Sequence, residues 1–325
     1  MIMIPTNDSK TLKEFRKLSE RKKGLAMAIF RHGCSRMRVS FLLLLLLLLF
    51  ALSPGGAWGS QAADTHGSLQ LVSEQQSIEP GHEFWIGLRF NLEKGWHIYW
   101  VNPGDSGEPP KVNWDLPAGF GAGDLQWPAP HRLEHPPLTD FGYEGEVLLL
   151  APVHAPSQLL GRPPAQLAGG GGNATFAADV KWLVCRDICI PAHQRVTLSL
   201  AIRERAPKTD PNWRALFERS RSRLPQPAPV SWKSAVLAEG KDFVLSIESD
   251  ASQAQATFFP LEPLQIENGA PQRVSAMPRG IRLTLEKSDQ LLKPITNLRG
   301  VIVLGNGRAY VIDAPVFQNK RRTAS

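Results

Sequence analysis

What most limits the fold of this chain is its rhythm of short apolar alternations broken by turn residues. Phe84, Ile86, Leu88 and Phe90 alternate with Trp85, Gly87 and Arg89, the period-two pattern of a strand with one buried face. Val196, Leu198, Leu200 and Ile202 repeat it, as do Phe243, Leu245 and Ile247, and then Ile281, Leu283 and Leu285. Val147 to Leu150 and Phe176 to Trp182 read as more deeply buried strands, and Val301 to Leu304 and Tyr310 to Ile312 complete the set. Between them stand turn signals such as Asn102-Pro103-Gly104-Asp105-Ser106-Gly107, prolonged by Glu108-Pro109-Pro110, and a flexible Gly169 to Gly172 loop. With 27 glycines, 27 prolines and few helical patterns, the expectation is an all-β protein.

The N-terminal segment is of another kind. Arg31, Arg36 and Arg38 precede a 12-residue apolar run, Phe41 to Leu52, with eight consecutive leucines; Ser53-Pro54-Gly55-Gly56 breaks it. That is the layout of an export signal, and the run falls short of the ~20 residues that span a bilayer. The expected leader is 1–60, which directs the mature chain to the periplasm. Residues 1–59 hold 10 Lys and Arg against 3 Asp and Glu, which accounts for the whole formal charge of +7. The mature chain is therefore charge-balanced and lacks the clustered basic face of a nucleic-acid binder. No second apolar run approaches bilayer length, so no membrane span is expected after the leader.

The mature length suits two domains. Asp210-Pro211 reads as a helix cap and first-turn proline, and Trp213, Leu216 and Phe217 give one apolar face to a short helix packed between domains. Pro225-Gln226-Pro227-Ala228-Pro229 reads as a stiff linker. This connector, 206–229, divides a first β domain (64–205) from a second, smaller β-sandwich (230–318), and a basic tail follows (319–325). The second half holds no cysteine, no histidine and no catalytic constellation.

Two cysteines survive removal of the leader, Cys185 and Cys189; the third, Cys34, precedes the leucine run. A staple is one reading. Four residues of extended chain would part the pair by roughly 13 Å, against the ~4.4–6.8 Å between Cα atoms that a disulfide needs, so an oxidised pair demands a local turn. Closing so short a loop removes only about 2 kcal/mol of chain entropy. Redox exchange is a second reading, since a close pair lets one thiolate attack and its neighbour resolve the mixed species. Arg186 favours a thiolate there and Asp187 opposes it, while Ile188, Ile190 and Pro191 give an apolar rim. Copper is the third: Cys185, Cys189 and His193 follow the spacing C-x3-C-x3-H, which resembles the ligand loop of the dinuclear copper centre in cytochrome oxidase subunit two. Val196 stands where that loop carries methionine, and Pro191 is a further departure. From the residues alone all three stay open.

Gly95-Trp96-His97-Ile98-Tyr99-Trp100-Val101-Asn102-Pro103-Gly104-Asp105-Ser106-Gly107 resembles the signature of the N-terminal periplasmic region of DsbD/ScsB-like protein-disulfide reductases. Trp127-Pro128-Ala129-Pro130, Asp140 through Val147, and Trp182 through Pro191 continue the resemblance in the same order. It implies an immunoglobulin-like sandwich presenting a redox-active pair, with Cys189 the attacking thiol and Cys185 the resolver. It also implies a cap loop at Asp140-Phe141-Gly142-Tyr143, in which Phe141 or Tyr143 covers the disulfide and Asp140 assists proton movement. Trp96, His97, Tyr99 and Trp100 are expected in the core or on the floor of the site. No organic cofactor is implied. The implied partners are a membrane-embedded thiol reductase module and periplasmic disulfide-bonded or thioredoxin-like clients. Relatives continue into a membrane domain and this chain stops at Ser325, so the expected electron source is a separate membrane protein. A thiol-carrying or copper-handling accessory is the alternative, as is a binding module with a structural disulfide.

Overall fold

A computed structural model describes residues 66–157 and 172–318. The segment expected to be a leader (1–60), the expected basic tail (319–325) and all of the Gly169–Gly172 loop but Gly172 lie outside the described residues.

The first sandwich is assembled from β1 (Gly67–Ser73), β2 (Ser77–Ile78), β3 (Glu83–Leu92), β4 (His97–Gly104), β5 (Lys111–Asp115) and β6 (Gly121–Ala122). It continues with β7 (His131–His135), β8 (Leu138–Glu144), β9 (Glu146–His154), β10 (Asn173–Cys185) and β11 (Cys189–Ile202). One sheet runs in the order β1-β3-β9-β6, and the facing sheet in the order β2-β11-β10-β4-β8-β7, with β5 added along β10. Strand alternation does the sorting. From β3, Phe84, Ile86, Leu88 and Phe90 point into the core. From β10 come Phe176, Ala178, Val180, Trp182 and Val184, and from β4 Trp96's neighbours Ile98 and Trp100. The intervening residues of β4 and β10, among them His97, Tyr99 and Cys185, therefore belong to the outer face of the second sheet.

The connector departs from expectation. Helix α1 spans Arg214–Ser222 and begins beyond Asp210-Pro211, with no side-chain cap. Asp210 instead closes the preceding turn, its carboxylate accepting the amide of Asn212 at 2.9 Å. Leu216 and Phe217 are buried as the apolar face requires, but against Val72, Leu148 and Leu150 on the outer side of the β1-β3-β9 sheet. The helix thus covers one sandwich rather than separating two. Ser220 donates to the Leu148 carbonyl at 2.7 Å, and Arg221 pairs with Glu74.

The second sandwich comprises β12 (Gln226–Pro227), β13 (Lys233–Glu239), β14 (Asp242–Glu248), β15 (Ala256–Pro260), β16 (Arg273–Met277), β17 (Gly280–Glu286), β18 (Asn297–Leu304) and β19 (Ala309–Gln318). The proline linker is part of it, since β12 pairs in parallel with β19. β19 passes from one half to the other, pairing first with β18 and then with β13. Phe243, Leu245 and Ile247 stand opposite Leu285, Leu283 and Ile281 and form the centre of its core.

The two sandwiches share apolar packing. Phe259, Val301 and Ala309 join the core of the first, and the Phe259 ring meets Phe141 edge-on at 5.2 Å. Two hydrogen bonds fix the seam: Asn102 Nδ2 donates to the Pro260 carbonyl at 2.8 Å, and Asn268 Nδ2 donates to Asp105 Oδ1 at 2.8 Å.

Candidate functional site

Cys185 ends β10 and Cys189 begins β11, so the two are directly opposed residues at the tip of a long hairpin. Their Cα atoms are 4.2 Å apart and their sulfurs form a disulfide. The turn between them is Arg186-Asp187-Ile188, closed by a hydrogen bond from the Arg186 amide to the Ile188 carbonyl at 3.1 Å. β10 and β11 pair over their whole length because both alternate apolar and polar residues in matching register. Pro191, which lacks an amide hydrogen, is tolerated because β11 gains its other neighbour, β2, only at Ala201 and Ile202.

The two sulfurs are in unequal surroundings. Cys185 is 1% exposed, flanked by Cys189 on one side and by His97 of β4 on the other. Cys189 is exposed. A reagent arriving from solvent therefore meets Cys189 first. The pair opens into a cleft walled by His97, Tyr99, Ser106, Asp140 and the β7–β8 turn, Glu134 to Leu138. Ile188 and Leu138, both apolar and exposed, flank its mouth.

Tyr99 supplies the closest polar group, its hydroxyl 3.4 Å from Cys189 Sγ. Burial, joined by the Asp140 carboxylate, pushes this phenol above its ordinary range, against a hydrogen bond with Ser106; the hydroxyl keeps its proton and can donate. Asp140 is 3% exposed. Its Oδ1 accepts the Ser106 amide at 2.8 Å and its Oδ2 accepts the Ser106 hydroxyl at 2.9 Å. Burial and the neighbouring Asp105 nonetheless raise its pKa, the Ser106 hydrogen bonds pulling the other way. His97 is 1% exposed and is lowered to about 4 by burial and by His135, whose ring stacks on it at 5.1 Å. The Arg186 charge is turned aside, its guanidinium 5.0 Å over the Trp96 ring and its Nε bonded to Asp187 at 2.9 Å.

The Asn102-to-Gly107 segment builds this cleft. Asn102 Oδ1 accepts the Gly104 amide at 3.1 Å, and Asp105 Oδ2 accepts the Thr139 amide at 2.7 Å, one residue before Asp140. Gly107 has φ +79°, and a Cβ there would fall 2.1 Å from Tyr99 Cζ. Only glycine lets the chain lie across that ring.

Of the residues singled out in the sequence, Cys185, Cys189 and Asp140 meet in one cleft, with His97 and Tyr99 on its floor. Phe141 and Tyr143 do not. In β8 they alternate with Asp140 and Gly142, and the alternation sends both rings into the core. Tyr143 donates its hydroxyl to the Pro128 carbonyl at 2.6 Å, and Phe141 packs on Phe259. The aromatic residue whose hydroxyl reaches the disulfide is Tyr99, and the β7–β8 turn forms one wall of the cleft. His193 also lies elsewhere. It sits four residues along β11 from Cys189, roughly 13 Å at the rise of a strand, paired with Asp179 at 3.6 Å. The set Cys185, Cys189 and His193 does not converge on one ion. Sequence reasoning missed Asp105, Ser106 and Asn268; the dense Asn-Pro-Gly-Asp-Ser-Gly turn was the signal that could have marked the first two.

Residues 68–201 match the family model described as thiol:disulfide interchange protein DsbD, N-terminal. Among solved structures, the N-terminal periplasmic domain of ScsB from Proteus mirabilis matches at 17% identity over 78% of this chain and 94% of that one, with a TM-score of 0.55. The periplasmic chaperone SfaE (11% identity, 78% of this chain, all of that one) and the human desmocollin-1 ectodomain (10%, 78% and 36%) reach TM-scores of only 0.21 and 0.18. No curated protein matches.

Proposed function

We propose that the chain is a periplasmic thiol–disulfide exchange module working through Cys185 and Cys189, a reading supported by the match of residues 68–201 to the DsbD N-terminal family model and by the shared fold of the ScsB N-terminal domain. The observation that carries this reading is the unequal exposure of the two disulfide-bonded residues, Cys185 buried and Cys189 exposed, in one cleft. Exchange requires in-line attack on one sulfur and departure of the other. Here the attacked sulfur is Cys189 and the departing one is Cys185.

A donor thiolate attacks Cys189 Sγ, the Cys185–Cys189 bond breaks, and Cys185 leaves as thiolate. The donor's second thiolate then attacks its own sulfur in the mixed disulfide, which frees Cys189 and leaves the donor oxidised. Two electrons have entered, and solvent supplies the two protons. In the reverse direction, the Cys189 thiolate attacks a client disulfide and releases one client thiolate. Cys185 then attacks Cys189 Sγ, releases the second client thiolate and re-forms the bond. Tyr99 donates a hydrogen bond to the Cys189 thiolate in both directions. The donor that fits this role is a membrane-embedded dithiol protein, and the acceptors are periplasmic disulfide-bonded or thioredoxin-like proteins. The chemistry needs no organic cofactor, since the two electrons are carried by the reduced cysteine pair and leave it as the sulfur–sulfur bond forms.

The test is a trapping experiment with a thioredoxin-like protein carrying one cysteine activated as an aromatic disulfide. Cys185→Ser should accumulate a stable mixed disulfide through Cys189. Cys189→Ser should form at least about tenfold less, because its remaining thiol is closed off. Equal yields would remove the assigned roles.

A further inference from the structure

His97 is the unexplained group of this site. It is almost fully buried, and among the described residues neither of its ring nitrogens has a hydrogen-bond partner. Leaving a buried imidazole unpaired costs free energy, and such a group calls for a reason. Its position supplies one. His97 is the direct cross-strand neighbour of Cys185, and opposed residues on one face have Cβ atoms only ~4.5–5.5 Å apart. Both residues line the same cleft. In the oxidised state Cys185 Sγ is spent in the disulfide and offers the ring little; in the reduced state it becomes a buried thiolate that needs a donor.

We infer that His97 is the hydrogen-bond donor for Cys185, idle while the disulfide is closed and engaged when reduction frees the sulfur. The inference rests on the exchange reading above and deepens it: Tyr99 serves the exposed sulfur and His97 the buried one. No proton changes hands at the ring. When the donor thiolate takes Cys189, the electron pair of the broken bond goes to Cys185, and the N–H of neutral imidazole points to that sulfur. When Cys185 re-attacks, the bond to Cys189 forms and the ring returns to its unpaired state. His135, stacked on the outer side of His97, and the Tyr99 ring, edge-on at 5.2 Å, hold the imidazole in plane. Glu134, Asp140, Arg186 and Asp187 are the other charged groups of the cleft. His97 thereby stabilises the reduced form and makes Cys185 a better leaving group.

In the native sequence, nitrogen-15 resonances of the His97 imidazole should move on reduction of the pair; unmoved resonances would overturn the inference. In the reduced Cys189→Ser background, His97→Phe should make the Cys185 thiol about tenfold harder to ionise, read by thiolate absorbance. With both cysteines present, it should shift the equilibrium with glutathione about tenfold toward the disulfide. His97→Gln, which keeps an N–H, should recover most of both effects. A His97→Phe protein with unchanged ionisation and equilibrium would also overturn it, while the exchange reading stands as long as the pair itself still cycles. A pair that no thiol reduces would fail the exchange reading instead.

Discussion

The Tyr99 hydroxyl lies 3.4 Å from Cys189 Sγ, while the adjacent outward residue of the same strand, His97, stands beside Cys185. Two residues two apart on β4 thus address the two sulfurs separately, because strand residues i and i+2 share a face. On the proposed exchange reading, β4 tunes the chemistry of the pair as much as does the hairpin that carries the cysteines.

Removing the first of these contacts should be visible in kinetics. Tyr99→Phe deletes the hydroxyl and keeps the ring under Gly107. A hydrogen bond to a charged sulfur contributes about 1.5–3 kcal/mol, so the Cys189 thiol in Cys185→Ser, Tyr99→Phe should ionise at least several-fold less readily. The pH dependence of its alkylation rate reads this directly. An unchanged profile would mean that the 3.4 Å contact carries no weight in the reduced state.

Phe141 distinguishes a lid from a core residue. Its ring is fully buried and meets Phe259 of the second sandwich. Phe141→Ala should therefore cost about 3–5 kcal/mol of stability through lost burial and the cavity left behind. A dispensable lid would give the opposite result, faster reaction of the disulfide with an added thiol and an unchanged urea midpoint.

His97 also imposes a pH dependence on folding. Its pKa is about 4 in the folded chain against an ordinary 6.5, so between those values the unfolded chain binds a proton that the folded chain refuses. Stability rises with pH wherever the unfolded state holds more protons. The contribution is complete above pH 6.5 and is lost as pH falls toward 4. Asp140, raised by burial, works in the other direction and is common to both proteins compared. The urea midpoint of the native sequence should fall more steeply from pH 7 to pH 4.5 than that of His97→Phe. Parallel curves would show that His97 is not buried neutral.

The strand rhythm was legible because alternation is a local property. Phe243, Leu245 and Ile247 announce one buried face, and they meet Leu285, Leu283 and Ile281 as their periods require. The close cysteine pair stood out as well, since only three residues separate its members, whereas Asp140 entered through the family resemblance alone. Phe141 and Tyr143 were assigned to the wrong face for want of a register: the alternation of β8 fixes which residues agree with one another, and only its pairing with β4 tells which set faces the sulfurs. The helix start moved because Asp210 caps a turn instead of α1. Asn268 lay beyond reach altogether. Its hydrogen bond to Asp105 joins residues 163 apart, and no local pattern encodes which asparagine of one sandwich meets an aspartate of the other.

The most direct test of the account is a redox titration of the protein lacking residues 1–60 in glutathione or dithiothreitol buffers, with thiol blocking and mass measurement at each poise. Structural disulfides of exported proteins resist reduction down to about −300 mV and below, whereas exchange-active ones open at higher potentials. The Cys185–Cys189 pair should interconvert reversibly as a two-electron couple above that value, with both thiols blocked together. A bond that stays closed throughout, or opens only as the protein unfolds, would contradict an exchange module and leave a staple.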